Sequence, residues 1–456
     1  MKYHNVLCIY PYQTKVRELR FSPPLGLEYI VAAIDDLVDK ITVIDMRFED
    51  DITKFIQNDT DLVCISVNWG FEKSYVHEII NQIPQQIFTV VGGSYASLYM
   101  DEFFQKCSNL DVIVRGDGEE TIRELIESGS PSGVKGLSYR YQGRVVNNEN
   151  RVQLPLSNVL FPNRELRRQK YKIPLDGVNK GIEIDSIYTS RGCPFNCKFC
   201  YLNIIRYGEK RPWSARTPES IVKELKSVDA DLIIIVDDNF AHDMDRVDRI
   251  CQLLINEGVK KKFIAQVRID VAKRPEVLRN MYKAGFKILW IGIESAKDET
   301  LKFYSKGFQI REVTEAFKVL RGFNFFYIGF FIIGNMGEDE KDMMLIPKLA
   351  CELGIDALSL SILRVEKDSP LECKIADSDN YHIARDEKVY SDEYPIHDLR
   401  RIQKRIKTEF YGSTHLLKVI IKLIRNRTIG VTVLLSILRA LIQKQQEKKL
   451  RGSGKK

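Results

Sequence analysis

Cysteine is scarce in this chain: nine in 456 residues, an odd number. Two of them, Cys8 and Cys64, fall inside apolar strand-like runs (NVLCIY, LVCISV), where a cysteine usually serves as a small buried hydrophobe. That usage argues against a disulfide framework and for a reducing, cytosolic compartment. Histidine is scarcer, with none between Glu78 and Ala241. The N-terminal MKYHNVLCIYPYQ lacks the basic, apolar, small-residue order of a secretory signal and reads as a first strand. No internal repeat or low-complexity tract is present, which sets aside solenoids and disordered arrays. Acidic residues nearly vanish at the end. Arg400–Lys456 holds sixteen Lys and Arg against two Asp and Glu, a charge of +14 in a chain whose total is +7, so Met1–Leu399 carries −7. A segment this basic seeks phosphate, in nucleic acid or an anionic membrane, or is a solvated helical tail.

What is present is ordinary globular material, 44% hydrophobic and 29% charged, and too long for one domain. Four regions separate: 1–140, 141–182, 183–375 and 376–456. In the first, the apolar runs NVLCIY, ITVID, DLVCISV, FTVVGG and LDVIVRG alternate with helical patterns such as LGLEYIVAAIDDLV. This predicts an α/β fold, a flavodoxin-like (Rossmann-like) parallel sheet with glycine-rich loops where such sheets bind ligands. GLSYRYQGRVVNN reads as a hairpin turning at Gln-Gly, and 141–182 as a surface connector. From 183 the strands DSIYTS, DLIIIVDD, KFIAQVRI, KILWIGIE, FYIGFFIIG and DALSLSIL alternate with helices, predicting a partial (βα)6 barrel. After about 376 the strands are expected to stop, RDEKVYSDEYPIHDLRRIQKRIKTEF being charged and helical.

The densest chemistry is RGCPFNCKFCY, with Cys193, Cys197 and Cys200 spaced C-x3-C-x2-C after the first barrel strand, at the active end of such barrels. Short-spaced thiolates favour zinc or iron–sulfur clusters. A structural zinc site is closed by four ligands; three thiolates on a cubane leave one iron open for a ligand. The spacing, with the aromatic Phe199 before the last cysteine, resembles the signature of the radical S-adenosylmethionine (SAM) superfamily. The resemblance implies a [4Fe-4S] cluster on the three cysteines, SAM chelated through its amino and carboxylate groups on the open iron, and reductive cleavage to a 5′-deoxyadenosyl radical. By the same resemblance Asp237 and Asp238 lie near the SAM amino group, Arg268 pairs with its carboxylate, Glu294 in Gly-Ile-Glu-Ser faces the barrel mouth, and Gly334 flanks the adenine. Asp237-Asp238-Asn239 reads equally as a helix-cap run, Arg268 as a strand-end ion pair, and Glu294 as structural. Asn335-Met336 stands where many relatives have proline-glycine.

The N-terminal motifs Pro23-Pro24-Leu25-Gly26-Leu27, Ser66-Val67-Asn68, Val90-Val91-Gly92-Gly93-Ser94 and Arg115-Gly116-Asp117-Gly118-Glu119-Glu120-Thr121 resemble the cobalamin-binding domain that precedes many radical SAM barrels. This implies that Ser66, Gly92 and Gly93 meet the cofactor's nucleotide tail. The cobalt-ligating pattern D-x-H-x-x-G is missing from PYQTKVRELRFSPPLG, and His4 and His77 lie elsewhere. The alternative is a relic domain that binds nothing.

In the tail, Lys418, Lys422 and Arg425 recur at i, i+4 and i+7 on an apolar helix. Thr432, Ser436, Arg439 and Gln443 do the same in the next segment. Both apolar segments fall short of the roughly 20 residues that span a bilayer, so an in-plane amphipathic anchor on the cytoplasmic face of a membrane is expected. A helical hairpin packed on the barrel is the other reading. Nucleic acid is disfavoured, because the basic residues alternate with Leu and Ile and not with stacking aromatics.

The expected activity is that of the subgroup resembling hopanoid methylases and the anaerobic magnesium-protoporphyrin ester cyclase. It is cobalamin-dependent C-methylation of a hydrophobic, lipid-like substrate, with an electron donor such as flavodoxin or ferredoxin. The rivals are oxidative cyclisation or rearrangement of a tetrapyrrole or lipid; RNA methylthiolation, with Cys8, Cys64 and Cys107 as second-cluster ligands; and a non-catalytic metal-binding adaptor.

Overall fold

The computed structural model describes residues 3–13, 22–70, 72–153, 155–175, 178–203 and 210–425. These fall into two compact units, Met1–Tyr171 with Ile204–Ala215, and Lys172–Asn203 with Arg216–Lys456.

The first unit is built on a seven-stranded sheet. Its strands in chain order are Asn5–Tyr10, Lys40–Asp45, Leu62–Ser66, Phe88–Gly92, Val112–Val114, Leu137–Tyr141 and Arg144–Asn147. Their spatial order is 2-1-3-4-5-6-7, with the first five parallel. The 2-1-3-4-5 order is the doubly wound flavodoxin-like arrangement, whose ligand crevice opens where the order reverses, between strands one and three. Leu62–Ser66 is buried at every position, as a strand covered on both faces must be. Cys8 and Cys64 face each other across strands one and three in this core. The last two strands form the expected hairpin. Gln142 and Gly143 both have positive φ, 48° and 76°, the type I′ geometry that matches strand twist. The structure adds the hairpin, antiparallel, to the edge of the parallel sheet.

Residues after the hairpin are strapped to this unit by charge and aromatic contact. Arg167 grips the buried Glu28 carboxylate at 2.5 and 2.7 Å. Tyr171 donates to Asp45 (2.9 Å), which also holds the buried Arg47. Arg47 stacks between Tyr10 and Tyr171, 4.6 and 5.3 Å from their ring centres. A strap held at points buries no continuous face, and so shows no periodicity.

The second unit carries a sheet of six parallel strands, Val178–Ile187, Leu232–Ile235, Lys262–Val267, Phe286–Glu294, Phe326–Ile333 and Ala357–Ile362, in sequential order. Lys172–Leu175 adds antiparallel to the first. The sheet is an open, partial barrel. Amphipathic helices between the strands cover it, among them Pro218–Ser227, which Thr217 caps with its side chain while Pro218 takes the first turn.

Beyond residue 376 the expectation of no strands is corrected. Tyr381–Ile383 pairs antiparallel with Val389–Ser391, and the helix starts only at Ile396. Charge density imitated a helix, while the buried Val389 anchors a strand. Helix Ile396–Phe410 drives Leu399, Ile402, Ile406 and Phe410 into the barrel core. Helix Ser413–Arg425 departs from the expected basic stripe. Lys422 turns inward to the buried Asp356 (2.5 Å), leaving Leu417 and Ile421 exposed at 59% and 51%. The Arg425 side chain and the segment from Thr432 to Gln443 lie outside the described residues. Among those described, no helix is long and apolar enough to cross a membrane.

Candidate active site

The cysteine loop leaves the first barrel strand and is fixed along its length. Cys197 is buried; Cys193 and Cys200 are half-buried. Cys200 N donates to the Cys197 carbonyl (3.0 Å), and Lys198 N to the Tyr304 carbonyl (3.0 Å). Phe199 meets the Tyr304 ring edge-on at 5.4 Å. Phe195 lies beneath the Arg268 guanidinium at 3.7 Å. Burial pushes the Cys200 thiol up to about 12 and raises that of Cys193, so both need a metal's charge to ionise. Three thiols from one anchored loop fit a cluster with one open iron. Among the described residues no three His, Cys, Asp or Glu groups converge on one ion; cubane cysteines each hold a different iron and need no shared point.

The two aspartates at the end of the second strand diverge. Asp237 is fully buried and accepts from Thr189 N (2.7 Å), Thr189 Oγ1 (2.5 Å) and Ser190 Oγ (2.6 Å). Burial raises its pKa, against the pull of Arg246. It braces the strand end from behind. Asp238, half-exposed, accepts from Gly192 N (3.0 Å) and from Tyr201 Oη (2.8 Å). Beside it, the buried Asn239 Oδ1 has no hydrogen-bond partner among the described residues, an acceptor left over for a ligand.

Arg268 is occupied by the Lys306 carbonyl (2.7 Å), Asp270 (3.2 Å) and its stack on Phe195. Glu294 ends the fourth strand at φ +75°, where a side chain is strained, and binds Lys306 Nζ at 2.8 Å. Both side chains are nearly buried. A Cβ at Gly292 would lie 2.4 Å from Glu294 Oε1, so that glycine makes room for the pair. Lys306 also lies 5.7 Å from the Phe199 ring. Sequence reasoning missed this lysine; its helix-to-loop position in YSKGF gave no chemical signal. Gly334 (φ +75°) lies against Leu399. The following turn is held by Asn335, whose N and Nδ2 donate to Glu338 at 3.2 and 2.8 Å. An amide side chain thus holds the turn. Glu338 also accepts from Ser295 (3.1 Å), and burial lifts its pKa to about 7.

In the first unit, Ser66 ends strand three, and its hydroxyl accepts from Asn68 Nδ2 (3.1 Å). Gly92 ends strand four. Gly93 follows at φ +104°, where a Cβ would lie 2.4 Å from the Val67 carbonyl oxygen. At Gly92 a Cβ would meet only Val114, at 3.5 Å, so the chain itself does not demand glycine there and the cradle stays open to a ligand. The buried Tyr12 hydroxyl takes the N–H groups of Asn68 (2.9 Å) and Trp69 (2.7 Å), setting Trp69 at 47% exposure beside the crevice. These two aromatics were also missed.

Known proteins resemble this chain in sequence and in fold. The Radical SAM superfamily matches residues 187–350, and the B12 binding domain residues 20–126. An uncharacterized methyltransferase of Pyrococcus horikoshii is 30% identical over 358 residues, 75% of this chain and 76% of that protein. The hopanoid C-3 methylase of Methylococcus capsulatus is 27% identical over 70% of this chain and 62% of its own length. In fold, the radical SAM methyltransferase TsrM of Kitasatospora setae, solved with cobalamin and a [4Fe-4S] cluster, superposes with a TM-score of 0.67 at 18% identity, covering 84% of this chain and 81% of that one. The cobalamin-dependent enzyme OxsB, solved with aqua-cobalamin and SAM, gives 0.69 at 16% identity over 99% and 81%. The chain therefore belongs to the radical SAM superfamily, in the branch that carries a B12-binding domain, and is an enzyme whose cofactors are a [4Fe-4S] cluster, S-adenosylmethionine and cobalamin.

Proposed function

We propose that this enzyme methylates an unactivated carbon of a hydrophobic, lipid-like molecule. One observation carries the reading: a three-cysteine loop, fixed at the active end of a partial barrel, in a chain that also carries a B12-binding domain. When bound, the cluster and SAM supply a hydrogen-abstracting radical, and cobalamin supplies the methyl group.

The residues divide the work. Cys193, Cys197 and Cys200 hold the cluster. Phe199 packs behind it against Tyr304. Glu294 and Lys306 offer one charge of each sign to the zwitterionic end of SAM, Asn239 offers an oxygen acceptor to its amino group, and Gly334 borders the adenine. Arg268 and Asp237 act through the loops they hold. Ser66, Gly92 and Gly93 receive the nucleotide tail of cobalamin, small residues allowing the backbone to come close. Support for a lipid-like substrate comes from the hopanoid relative. Support for peripheral membrane contact comes from the outward Leu417 and Ile421 beside Lys418. Support for an electron donor is the family chemistry itself.

Anaerobic reconstitution tests the core of this. About four irons per chain and 5′-deoxyadenosine from SAM with a strong reductant are expected; a colourless protein or bound zinc sinks it. About eight irons would favour methylthiolation, although Cys8 and Cys64 lie inside the sheet core. Lipid and pigment profiles of cells with and without the enzyme then settle the reaction. A product with one added carbon as methyl is expected; a ring closed with loss of hydrogen and no added carbon would instead indicate the cyclase chemistry named in a 23% identical relative of Cereibacter sphaeroides. Flotation with anionic vesicles checks the membrane contact, and Leu417→Ser with Ile421→Ser should reduce it severalfold.

A further inference from the structure

We propose that Asp238 is a positioning residue that closes the cluster-binding loop by bridging its two ends. The inference rests on the three cysteines being the cluster ligands. The loop's first cysteine follows Gly192 and its last precedes Tyr201. One carboxylate oxygen of Asp238 accepts from Gly192 N (3.0 Å) and the other from Tyr201 Oη (2.8 Å). A single side chain on the neighbouring strand therefore ties together the residues immediately outside the ligand triplet.

The rest of the loop is held differently. Phe195 and Lys198 anchor its middle through Arg268 and the Tyr304 carbonyl. Asp237 fixes the segment before it through Thr189 and Ser190. The bridge spans the two ends directly, and so bears on their separation and on the spacing of Cys193 from Cys200. Gly192 has φ +83°, a shape glycine adopts without strain, and in it the N–H points to Asp238. Two hydrogen bonds to one carboxyl group link that turn to the Tyr201 ring. The consequence is a loop shaped for iron before iron arrives, which slows iron loss once the cluster is in place.

The test uses the full chain, reconstituted anaerobically, with iron counted and then stripped by excess chelator while the visible absorbance is followed. Asp238→Ala should lose its cluster at least tenfold faster than wild type, with the far-ultraviolet circular dichroism of the iron-free chain unchanged. Tyr201→Phe removes one bond from a half-exposed ring and should lose iron about threefold faster without affecting folding. The double variant should be no worse than Asp238→Ala alone. Asp238→Asn can still accept from Gly192 N and donate to Tyr201 Oη, so it should retain iron nearly as wild type. Wild-type stripping rates in Tyr201→Phe, or additive effects in the double variant, overturn the bridge. Failure of the wild-type protein to take up iron overturns the cluster assignment instead.

Discussion

The cysteine loop of the barrel and the Gly92-Gly93 loop of the N-terminal sheet both sit at the carboxyl ends of parallel strands, yet they are built differently. The first is tied by side chains from elsewhere in the barrel: a carboxylate, a stacked guanidinium, an edge-on tyrosine. The second combines side-chain bonds, such as Ser94 N to Asn68 Oδ1 (3.2 Å) and Ser97 Oγ to the Gly93 carbonyl (2.9 Å), with a close backbone approach. Tyr95 N and Ala96 N both donate to the Val67 carbonyl (3.1 and 3.3 Å), which comes in over the place where Gly93 lacks a side chain. The difference follows from the ligands. A cluster is bound by side chains, so their directions must be fixed by other side chains. A large cofactor laid across strand ends needs the backbone itself to approach, which selects for missing side chains.

The comparison breaks most visibly at the proposed cluster ligands. Cys197→Ala should hold almost no iron after reconstitution and form no 5′-deoxyadenosine; SAM cleavage surviving in that variant would remove the cysteine loop from the chemistry. Next comes the ion pair in the barrel mouth. Lys306→Ala leaves Glu294 buried without its cation, which should cost about 3–5 kcal/mol, measured by denaturant unfolding. A loss below about 1 kcal/mol would mean that the pair is solvated and not part of a side-chain-built site.

The glycines sharpen the other side. Gly93→Ala adds strain at φ +104° of about 1–3 kcal/mol, plus overlap with the Val67 carbonyl, and should destabilise the apoprotein. Gly92→Ala meets an ordinary contact and should leave apoprotein stability within about 0.5 kcal/mol while weakening cobalamin binding about tenfold, read by spectral titration. Equal destabilisation by both would erase the distinction between a glycine the chain needs and one the ligand needs.

A further effect is on pH. Glu338 titrates near 7 in the fold, above the usual glutamate value of about 4.3. The folded chain therefore holds a proton that the unfolded chain has released, and the slope of stability with pH is negative in that window. Its contribution is complete below about pH 4.3 and is lost as pH rises through 7, at up to about 1.4 kcal/mol per unit. Thermal melts from pH 5 to 8 should show this slope, and Glu338→Gln should flatten it; parallel curves would show that the carboxylate is not buried as described.

Legibility differed between the regions as their construction did. Cys193, Cys197 and Cys200 were plain in the sequence because metal chemistry demands rare residue types at fixed spacing, and barrel position followed from the strand-helix alternation. Ser66, Gly92 and Gly93 were visible through resemblance, since small residues in loops are common for many reasons. Lys306, Tyr12 and Trp69 were not visible at all. Each owes its place to a partner far along the chain, as Tyr12 does to Asn68 and Trp69, and no local pattern marks such pairs. The C-terminal stripe misled for the same reason: Lys418 and Lys422 share a helix face by spacing, but Asp356 draws Lys422 inward.

By itself, the sequence determined what depends on near neighbours: the order of strands and helices, fixed by apolar period, and the three-cysteine spacing that a metal cluster would need. The tertiary structure alone decided which carboxylate faces the loop and which braces it, which lysine is buried, that the hairpin joins the edge of the first sheet, and that a charged strap closes on the same unit. Those choices turn on contacts between distant segments, whose energies come from burial and from charges brought within bonding distance, and neither exists until the chain has closed upon itself.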